Sequence, residues 1–354
     1  MLQMLRGLVD KANHGDRLPT VRALMHRYRV SQKAVEQCFA VLAAEGLIAS
    51  HVGRGTFALK GGQLLFDGAA RSRSSVLLLT RNVGSARTRR VLSRLQDELS
   101  AHMVESVQVT YNEISSALSL LRSLPRFDLC IVQCHFEPIS IELLALLRHK
   151  AKAILFDGAT VSGLDIDSVG SDWRNGLELA IRELAAKGHR RIGMIGSAWK
   201  SPPIEALRRH YASLRPMAPW GLNLQEPVWL QELPTEGALL GVEETMAAII
   251  ASGSLPFTAL IIWGALEGRI LRQIFARLGV RIPADLSVMI LGHQGVATES
   301  DGFFSVAGTD LDETVNTLLR AALARLADPR RPPRHEYLGA GLSAGQSVQD
   351  LSTI

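Results

Sequence analysis

The first sixty residues hold closely spaced side chains of the types that contact phosphates and base edges. Arg22 lies near the start of one short segment with helical apolar spacing. Gln32 and Lys33 open a second such segment, and Arg54 stands between two glycines. Cationic and amide side chains make most protein contacts to phosphate oxygens and to the edges of bases. The residue types and their spacing therefore indicate nucleic acid as a partner.

Capping residues and apolar periodicity predict the elements that position these side chains. Thr20 and Ser31 each precede an apolar-periodic segment, where a hydroxyl oxygen can cap the first turn of a helix. The second helix has apolar residues at helical spacing, namely Val35, Phe39, Val41 and Leu42. Segments 47–49 and 56–58 predict two short strands joined by a glycine-rich turn. Helix, turn, helix and hairpin is the order of a winged helix-turn-helix, whose second helix enters the major groove.

Residues 5–59, approximately, resemble the GntR-type winged-helix family. The resemblance rests on four fragments that follow one another with the right gaps, LPTVRAL, SQKAV, AAEGLI and GRGTF. It implies DNA contacts from the arginine of the first fragment, the first turn of the second helix and the glycine-flanked wing. With the capping threonine, these positions are Thr20, Arg22, Ser31, Gln32, Lys33, Gly53 and Arg54.

The second helix departs from the family's pattern at two positions. Glu36 stands where members usually carry an arginine, and Ala34 replaces a hydroxyl residue. A carboxylate repels phosphate, but it can accept a hydrogen bond from the amino group of cytosine. Glu36 therefore joins the predicted DNA-binding residues, with either an altered sequence preference or weaker binding as the consequence.

The positive charge of the chain lies in its N-terminal part. The whole sequence has 39 Lys and Arg against 34 Asp and Glu. Residues 1–75 contain 11 of these basic residues and 5 of the acidic ones, which leaves 28 against 29 for the remainder. A basic segment is expected where a protein faces phosphates. On charge alone, a solvated basic surface remains an equal alternative.

Cysteine content and hydropathy indicate in which compartment the protein functions and whether it binds a metal or cofactor. The three cysteines, Cys38, Cys130 and Cys134, fit no disulfide framework and predict a reducing compartment. Cys130 and Cys134 share a face of one strand but lack a second ligand pair, so they are interpreted as structural thiols, with no metal or cofactor. The longest nearly apolar stretch, 257–266, is too short to span a membrane. We expect a cytoplasmic protein without a membrane partner.

Beyond a Gly- and Ser-rich linker at 61–75, the sequence alternates between strand and helix patterns. Predicted strands are 76–79, 106–111, 128–132, 153–156, 192–195, 227–230, 258–263 and 286–291. Predicted helices are 86–102, 113–123, 139–149, 173–187, 202–214, 241–252 and 266–278. This order predicts an α/β fold with two lobes, each a doubly wound parallel sheet, after a small α+β winged helix. The predicted domains are 1–60 and 76–354.

The larger domain resembles the effector domain of LacI/GalR-type repressors, a fold shared with periplasmic sugar-binding proteins. The resemblance spans about 75–347 and is strongest in LELAIRELAAKGHRRIGMIG and TALIIWGALEGRILRQIFARLGVRIPADLSVMILG. It implies a small metabolite, with sugars as one class, bound between the lobes. It also implies a homodimer whose two heads bind an operator with two-fold symmetry. In this family closure of the lobes is passed to the DNA-binding heads.

Six residues at the predicted carboxyl ends of strands and on one following helix form the expected ligand set: Arg81, Asn82, Asp157, Arg208, Trp263 and His293. The chain departs from the family here, because Trp263-Gly264-Ala265 replaces a usual Asn-Asp pair. His293 occupies a position where an acidic residue is usual. Trp263 could form the apolar floor of a sugar site. Arg81 and His293 could equally be ordinary surface residues, and Asp172 is better explained as a helix N-cap.

The sequence contains no motif that requires an enzyme. It lacks a phosphate-binding loop of the Walker type, a GxSxG elbow, an HExxH helix and a paired-cysteine zinc pattern. We therefore expect a transcriptional regulator rather than an enzyme, with repression relieved by ligand as the commoner sense in the family. The loss of the Asn-Asp pair keeps an alternative open, in which the effector-like domain serves only dimerisation or protein contacts.

Overall fold

The computed structural model describes most of the chain: residues 2–12, 16–28, 30–44, 47–51, 55–58, 74–134, 139–159, 164–218, 221–231, 236–264 and 267–352. The chain divides into two compact units. One contains Met1–Arg73 with Ser115–Arg126, and the other contains Ser74–Ile114 with Phe127–Ile354. The domain boundaries at residues 60 and 76 stay a prediction.

The N-terminal unit has the winged-helix order that the sequence predicts. Its elements are α1 (Leu2–Lys11), α2 (Val21–Tyr28), α3 (Gln32–Ala44), β1 (Ile48–His51) and β2 (Gly55–Ala58). The two strands are antiparallel, with Ile48 opposite Ala58. The buried core consists of Leu5, Val9, Leu18, Leu24, Val35, Phe39, Leu42 and Ile48. This small core joins all three helices to the hairpin.

The placement of Val41 on the buried face of α3 was wrong. Val41 is 40% exposed, whereas Val35 and Leu42 are fully buried. Residues seven apart return to the same side of an α-helix, but a residue six apart lies on the far side. The helix therefore packs through Val35, Phe39 and Leu42, and Val41 faces solvent.

The second unit contains two parallel sheets, each the centre of one lobe. The first lobe has strands in the spatial order β14, β7, β6, β5, β3 and β4. Its elements in chain order are β3 (Ser75–Arg81), α4 (Ala86–Ala101), β4 (Glu105–Tyr111), α5 (Ile114–Ser123), β5 (Phe127–Gln133), α6 (Ile141–Lys150), β6 (Ala151–Asp157), β7 (Asp167–Ser171), α12 (Leu311–Ala327) and β14 (His335–Leu338). Of these, residues 115–126 belong to the first compact unit.

The second lobe is built on a seven-stranded sheet. Its strands follow the order β10, β8, β11, β12, β13 and β15, with β9 paired to β8; the β13–β15 pair is antiparallel. Its elements are α7 (Trp173–Ala186), β8 (Arg191–Ser197), α8 (Pro202–Leu214), β9 (Asn223–Leu224), β10 (Val228–Leu230), α9 (Glu236–Ala251), β11 (Ala259–Trp263), α10 (Gly268–Arg277), β12 (Ser287–Gln294), α11 (Ala297–Ser300), β13 (Ser305–Asp310) and β15 (Gly341–Ser343).

Side-chain caps and a glycine fix the limits of α7. Asp172 is its N-cap, since its carboxylate accepts a hydrogen bond from the amide of Asn175 at 3.2 Å. Gly188 follows the helix with φ +84°, a conformation that strains any other L-residue. A side chain at Gly188 would also meet the backbone of Leu351 at 2.8 Å. The predicted N-cap at Asp172 is confirmed.

The chain passes between the lobes three times. It leaves the first sheet after β7, returns in α12, whose apolar side packs in the first-lobe core, and enters the second sheet again at β15. A buried ion pair anchors this return, because Arg325 of α12 binds Asp167 of β7 through two hydrogen bonds of 2.7 and 3.0 Å. Strand β7 and the elements after residue 294 were not predicted from the sequence.

Candidate functional site

The hydroxyl groups predicted to contact DNA cap two helices of the N-terminal unit. Thr20 Oγ1 accepts a hydrogen bond from the amide of Ala23 at 3.2 Å. Ser31 Oγ accepts one from the amide of Ala34 at 3.3 Å. Both side chains are exposed, so each hydroxyl can still donate its proton outward. Capping and DNA contact are therefore compatible at these positions.

The start of α3 presents a hydrogen-bonded pair to solvent. The Gln32 amide nitrogen donates to Glu36 Oε1 at 2.7 Å, one turn further along the helix. Both residues are exposed, whereas Val35 between them is buried. Because Glu36 engages the amide NH₂ group, the Gln32 carbonyl oxygen and the second Glu36 oxygen are left as acceptors. In a major groove such acceptors suit the amino groups of cytosine and adenine.

The other predicted DNA-binding residues are placed less completely. Arg22 lies on α2 and Lys33 on α3. Gly53 and Arg54, predicted for the wing, lie outside the described residues. The DNA-binding role of all these positions stays a prediction.

A closed polar network occupies the carboxyl edge of the first-lobe sheet. Arg87, on the first turn of α4, binds both carboxylate oxygens of Asp157, at 3.0 and 3.1 Å. Gln133 donates to the same carboxylate at 3.1 Å and accepts from the Thr80 hydroxyl at 2.9 Å. The side chains of Arg87 and Asp157 are 4% and 2% exposed. A ligand could reach Asp157 only by exchange with these donors.

Two further predicted ligand residues lie at the end of β3. Arg81 is partly buried, and Asn82 is exposed. The amide of Asn82 donates to the carbonyl of Tyr111 at 2.8 Å, which fixes the loop beside the end of β4. Both residues therefore lie at the carboxyl edge of the first sheet, where ligands of open α/β sheets bind.

Aromatic rings dominate the carboxyl edge of the second-lobe sheet. Trp263, the last residue of β11, packs on Trp173 with a ring-centre distance of 5.6 Å. Trp173 begins α7 and makes an edge contact with His293 at 5.2 Å. The structure therefore brings the predicted residues Trp263 and His293 together through Trp173.

A glycine allows a third indole to approach this aromatic group. A side chain at Gly196, near the end of β8, would meet the Trp229 ring at 2.8 Å and the Trp263 ring at 3.7 Å. Trp229 in turn lies beneath Arg208, whose guanidinium carbon is 5.3 Å from the ring centre. The three tryptophans, Arg208 and His293 form one continuous group, here called the aromatic edge.

His293 is held by a buried carboxylate. Its Nδ1 lies 3.1 Å from Glu299 Oε1, and its backbone amide donates to Glu299 Oε2 at 2.8 Å. Glu299 is 2% exposed. The Nε2 atom of His293 is buried and has no hydrogen-bond partner among the described residues. The tether fixes the ring orientation and leaves Nε2 on the side away from Glu299.

The carboxyl edges of the two sheets meet at a cavity of about 260 Å³. The hydroxyls of Ser171, at the end of β7, and Thr309, in β13, approach to 3.2 Å. The cavity is lined by Gly158, Ala159, Gly170, Ser171, Asp172, Trp173, Arg174, Pro202, Pro203, Ala206, Leu207 and Tyr337. Trp173 therefore lines the cavity, and Asp157 directly precedes the lining residue Gly158 in the chain, whereas Arg208, Trp263 and His293 are not among the lining residues.

Several residues of this region were missed by the sequence reading, namely Arg87, Trp173, Trp229 and Glu299. A composition signal existed for the tryptophans, since all five of the chain lie between 173 and 263. Cys130 and Cys134 are buried, as expected for structural thiols, and burial raises the pKa of the Cys130 thiol. Within the described part of the chain, no cluster of His, Cys, Asp and Glu residues is arranged to hold a metal ion.

Two family models match the sequence. The model for bacterial regulatory proteins of the gntR family matches residues 6–58. The model for a periplasmic binding protein-like domain matches residues 181–348. A search of curated protein sequences found no match to this chain. None of the described helices is long and apolar enough to cross a membrane.

Solved structures of LacI-type regulators share the fold of the second unit. A regulator from a Rhodococcus species is 18% identical, with a TM-score of 0.63 over 78% of this chain and 99% of that one. One from Enterococcus faecium with bound ribose is 17% identical, with a TM-score of 0.62 over 78% and 100%. One from Arthrobacter sp. FB24 in complex with lactose is 15% identical, with a TM-score of 0.60 over 78% and 100%. At these low identities, the TM-scores show a shared fold.

Proposed function

We propose that this chain, in which a gntR-family regulatory domain precedes a periplasmic-binding-protein-like domain, is a DNA-binding transcriptional regulator controlled by a small metabolite. The observation that carries the proposal is the presence of both domains in one polypeptide. A head with an exposed polar recognition helix is covalently joined to a two-lobed domain with a cavity where its sheets meet. Neither part alone would connect metabolite concentration to DNA occupancy.

Linkage supplies the mechanism. A ligand that binds one arrangement of the lobes more tightly shifts the population toward it. If that arrangement holds DNA less tightly, the same coupling free energy weakens operator binding, and DNA reciprocally weakens ligand binding. Repression relieved by ligand is the sense we propose.

The assembly that suits this mechanism is a cytoplasmic homodimer on an operator with two-fold symmetry. Symmetric heads read symmetric half-sites, and two heads multiply the affinity of one. Carbohydrates are a reasonable effector class, because related folds were crystallised with ribose and with lactose. The absence of catalytic motifs supports a role without catalysis.

The deciding experiment is selection of bound sequences from random DNA with the full-length protein, at two salt concentrations. Enrichment of an inverted repeat is the expected result. Binding that is salt-sensitive but indifferent to sequence would contradict a specific regulator and would assign the loss of specificity to Glu36 and Ala34. A selected operator then reports on metabolites as they are added.

Lys33→Ala tests the placement of the recognition helix. If Lys33 contacts a phosphate, its loss weakens operator binding and lowers the salt slope, d log K/d log [salt], by about one unit. Lys200→Ala, an exposed lysine of the second unit, is the matched control and should leave the slope unchanged. An unaltered slope in Lys33→Ala removes this residue from the phosphate contacts.

One observation favours a second candidate, a regulator whose effector-like domain acts without ligand. Arg87 and Gln133 already donate hydrogen bonds to the carboxylate of Asp157. Under this alternative the domain serves dimerisation or protein contacts. Operator binding that responds to no member of a metabolite panel, together with a stable dimer, would favour it.

A further inference from the structure

A hydrogen-bonded pair, Gln32 and Glu36, lies on the exposed face at the start of α3. The Gln32 amide nitrogen donates to Glu36 Oε1 at 2.7 Å, and both side chains are exposed. The opposite face of the helix is buried in the core of the head, through Val35, Phe39 and Leu42. The carboxylate of Glu36 therefore faces away from the core, on the side that a recognition helix turns toward the major groove.

The contact with Gln32 orients this carboxylate before DNA arrives. Residues four apart are neighbours on a helix surface, and a hydrogen bond between them restricts the rotamers of both side chains. An ionised carboxylate has no donor, and its Oε1 already accepts a proton from Gln32. Glu36 Oε2 is therefore the atom with the greater capacity to accept from a base, and less side-chain entropy is lost when it does so.

The four bases differ in what they offer such an acceptor in the major groove. Cytosine presents one amino donor, whereas guanine presents two acceptors, N7 and O6, and thymine presents the acceptor O4. Adenine has an amino donor but places its N7 acceptor beside it. A carboxylate is therefore matched best by cytosine and less well by adenine, and it is repelled by guanine and thymine.

The charge of the head explains how it can carry a carboxylate on this face. Residues 1–75 contain 11 Lys and Arg against 5 Asp and Glu. The resulting field attracts phosphates whatever the base sequence. A carboxylate that loses its water in the groove without gaining a donor disfavours binding, so sequences without the matching base are bound more weakly. Glu36 therefore adds selectivity to a head whose affinity comes from its basic residues.

We propose that Glu36 determines operator specificity by accepting a hydrogen bond from a cytosine amino group through Oε2, with Gln32 as the residue that positions it. The inference rests on the proposed function, because it requires that α3 enters the major groove of an operator. It names one base that each half-site contains, cytosine, and one that the same position excludes, guanine.

The base preference of single variants tests the proposal, with the full-length protein and the operator selected by the wild type. Each position is replaced by the other three base pairs in turn, in one half-site at a time, and affinity is measured by fluorescence anisotropy at constant salt. For the wild type we expect one cytosine whose replacement by guanine weakens binding about 10- to 100-fold.

The variants should change the preferred base at this position and at no other. Glu36→Gln should prefer adenine, because an amide binds the N6 and N7 atoms of adenine together. Glu36→Arg should prefer guanine, whose N7 and O6 accept two guanidinium hydrogen bonds. Gln32→Ala should keep cytosine but narrow its advantage. Glu244→Arg, which makes the same charge change at an exposed glutamate of α9, should retain the wild-type preference.

The outcomes separate this inference from the regulator function. An inverted repeat whose preferred bases are the same for the wild type, Glu36→Gln and Glu36→Arg would overturn the role of Glu36, while the regulator function stands. The same holds if Glu36→Arg binds every operator variant more tightly without a change of base, since position 36 then faces a phosphate. A wild-type base other than cytosine at the position that switches would overturn the assignment of cytosine. Wild-type binding that is indifferent to sequence would overturn both proposals.

Discussion

The two lobes share a parallel architecture but differ at the carboxyl edges of their sheets. In the first lobe, Arg87 and Gln133 both donate to the carboxylate of Asp157 in a buried network. In the second lobe, the edge is aromatic, and Arg208 has no hydrogen bond to any described residue. The same fold thus supports a closed polar edge on one side and an open cationic one on the other.

This difference indicates that the two edges respond differently to a ligand. A buried ion pair whose charges already bind each other gains little from a ligand, and disturbing it exposes an uncompensated charge. A half-buried guanidinium with unused donors does gain when an oxyanion arrives. We therefore expect the first-lobe edge to be the more rigid of the two.

Asp157→Ala breaks the closed edge and should have the largest effect. It leaves Arg87 charged, buried and without its carboxylate, which destabilises proteins by about 3–5 kcal/mol. The free energy of unfolding from urea denaturation at pH 7.5 is the measurement. A stable Asp157→Ala protein that has lost its ligand response would instead make Asp157 a binding residue, as the sequence suggested.

The double variant Arg87→Met, Asp157→Leu separates charge from packing. Replacing both partners of a buried pair with apolar residues of similar volume is often neutral. We expect the double variant to recover most of the stability lost by Asp157→Ala. A loss as large as that of the single variant would show that shape, not charge balance, maintains this edge.

Gly196→Ala perturbs the open edge and should have an intermediate effect. The new methyl group would lie 2.8 Å from the Trp229 ring, too close for a carbon contact. Overpacking of this kind costs about 1–3 kcal/mol, and the displaced indole should carry Arg208 away from its position. We expect reduced stability, altered tryptophan fluorescence and a weaker ligand response.

Gly339→Ala is the matched control, because a methyl group there meets no atom within 4 Å. It should leave both fluorescence and ligand response unchanged. Equal behaviour of the two alanine variants would argue that the Trp229 ring is loosely held and does not position Arg208.

Local features of this fold were predictable from sequence, and long-range ones were not. The caps at Thr20, Ser31 and Asp172 act on residues only three positions away, so their chemistry is visible in the sequence. Strands buried on both faces likewise stand out as continuous apolar runs. These features suffice to identify two lobes and a winged helix.

The site depended on contacts between distant parts of the chain. Arg87 and Asp157 are 70 residues apart, and no local pattern indicates that they pair or that the carboxylate is neutralised. Trp173 contacts Trp263 only because the chain crosses between lobes just before α7. Trp263 was predicted at the carboxyl end of its strand, but topology decided which rings contact it.

Two histidines at opposite edges of the second-lobe sheet differ in whether their ring nitrogens have hydrogen-bond partners. His293, at the carboxyl edge, has an Nε2 atom without a partner among the described residues. His189, just before β8 at the amino edge, has both ring nitrogens within hydrogen-bond distance, at 3.0 Å from Thr258 Oγ1 and 3.1 Å from the Gln349 carbonyl. These contacts indicate a structural role for His189.

His189→Gln should have the smallest effect, confined to the pH dependence of stability. Burial lowers the pKa of His189, against the opposing influence of the Gln349 carbonyl and Asp350. Because the unfolded chain then binds the proton first, stability is lost as pH falls through the ordinary histidine value of about 6.5. Urea denaturation at pH 7.5 and pH 5.5 should show a smaller difference in the variant than in the wild type, while His149→Gln, at an exposed histidine, provides the reference. If the free energy of unfolding changes equally between the two pH values in all three proteins, protonation of His189 is not linked to folding. The amino edge then accommodates a charged histidine as readily as the carboxyl edge.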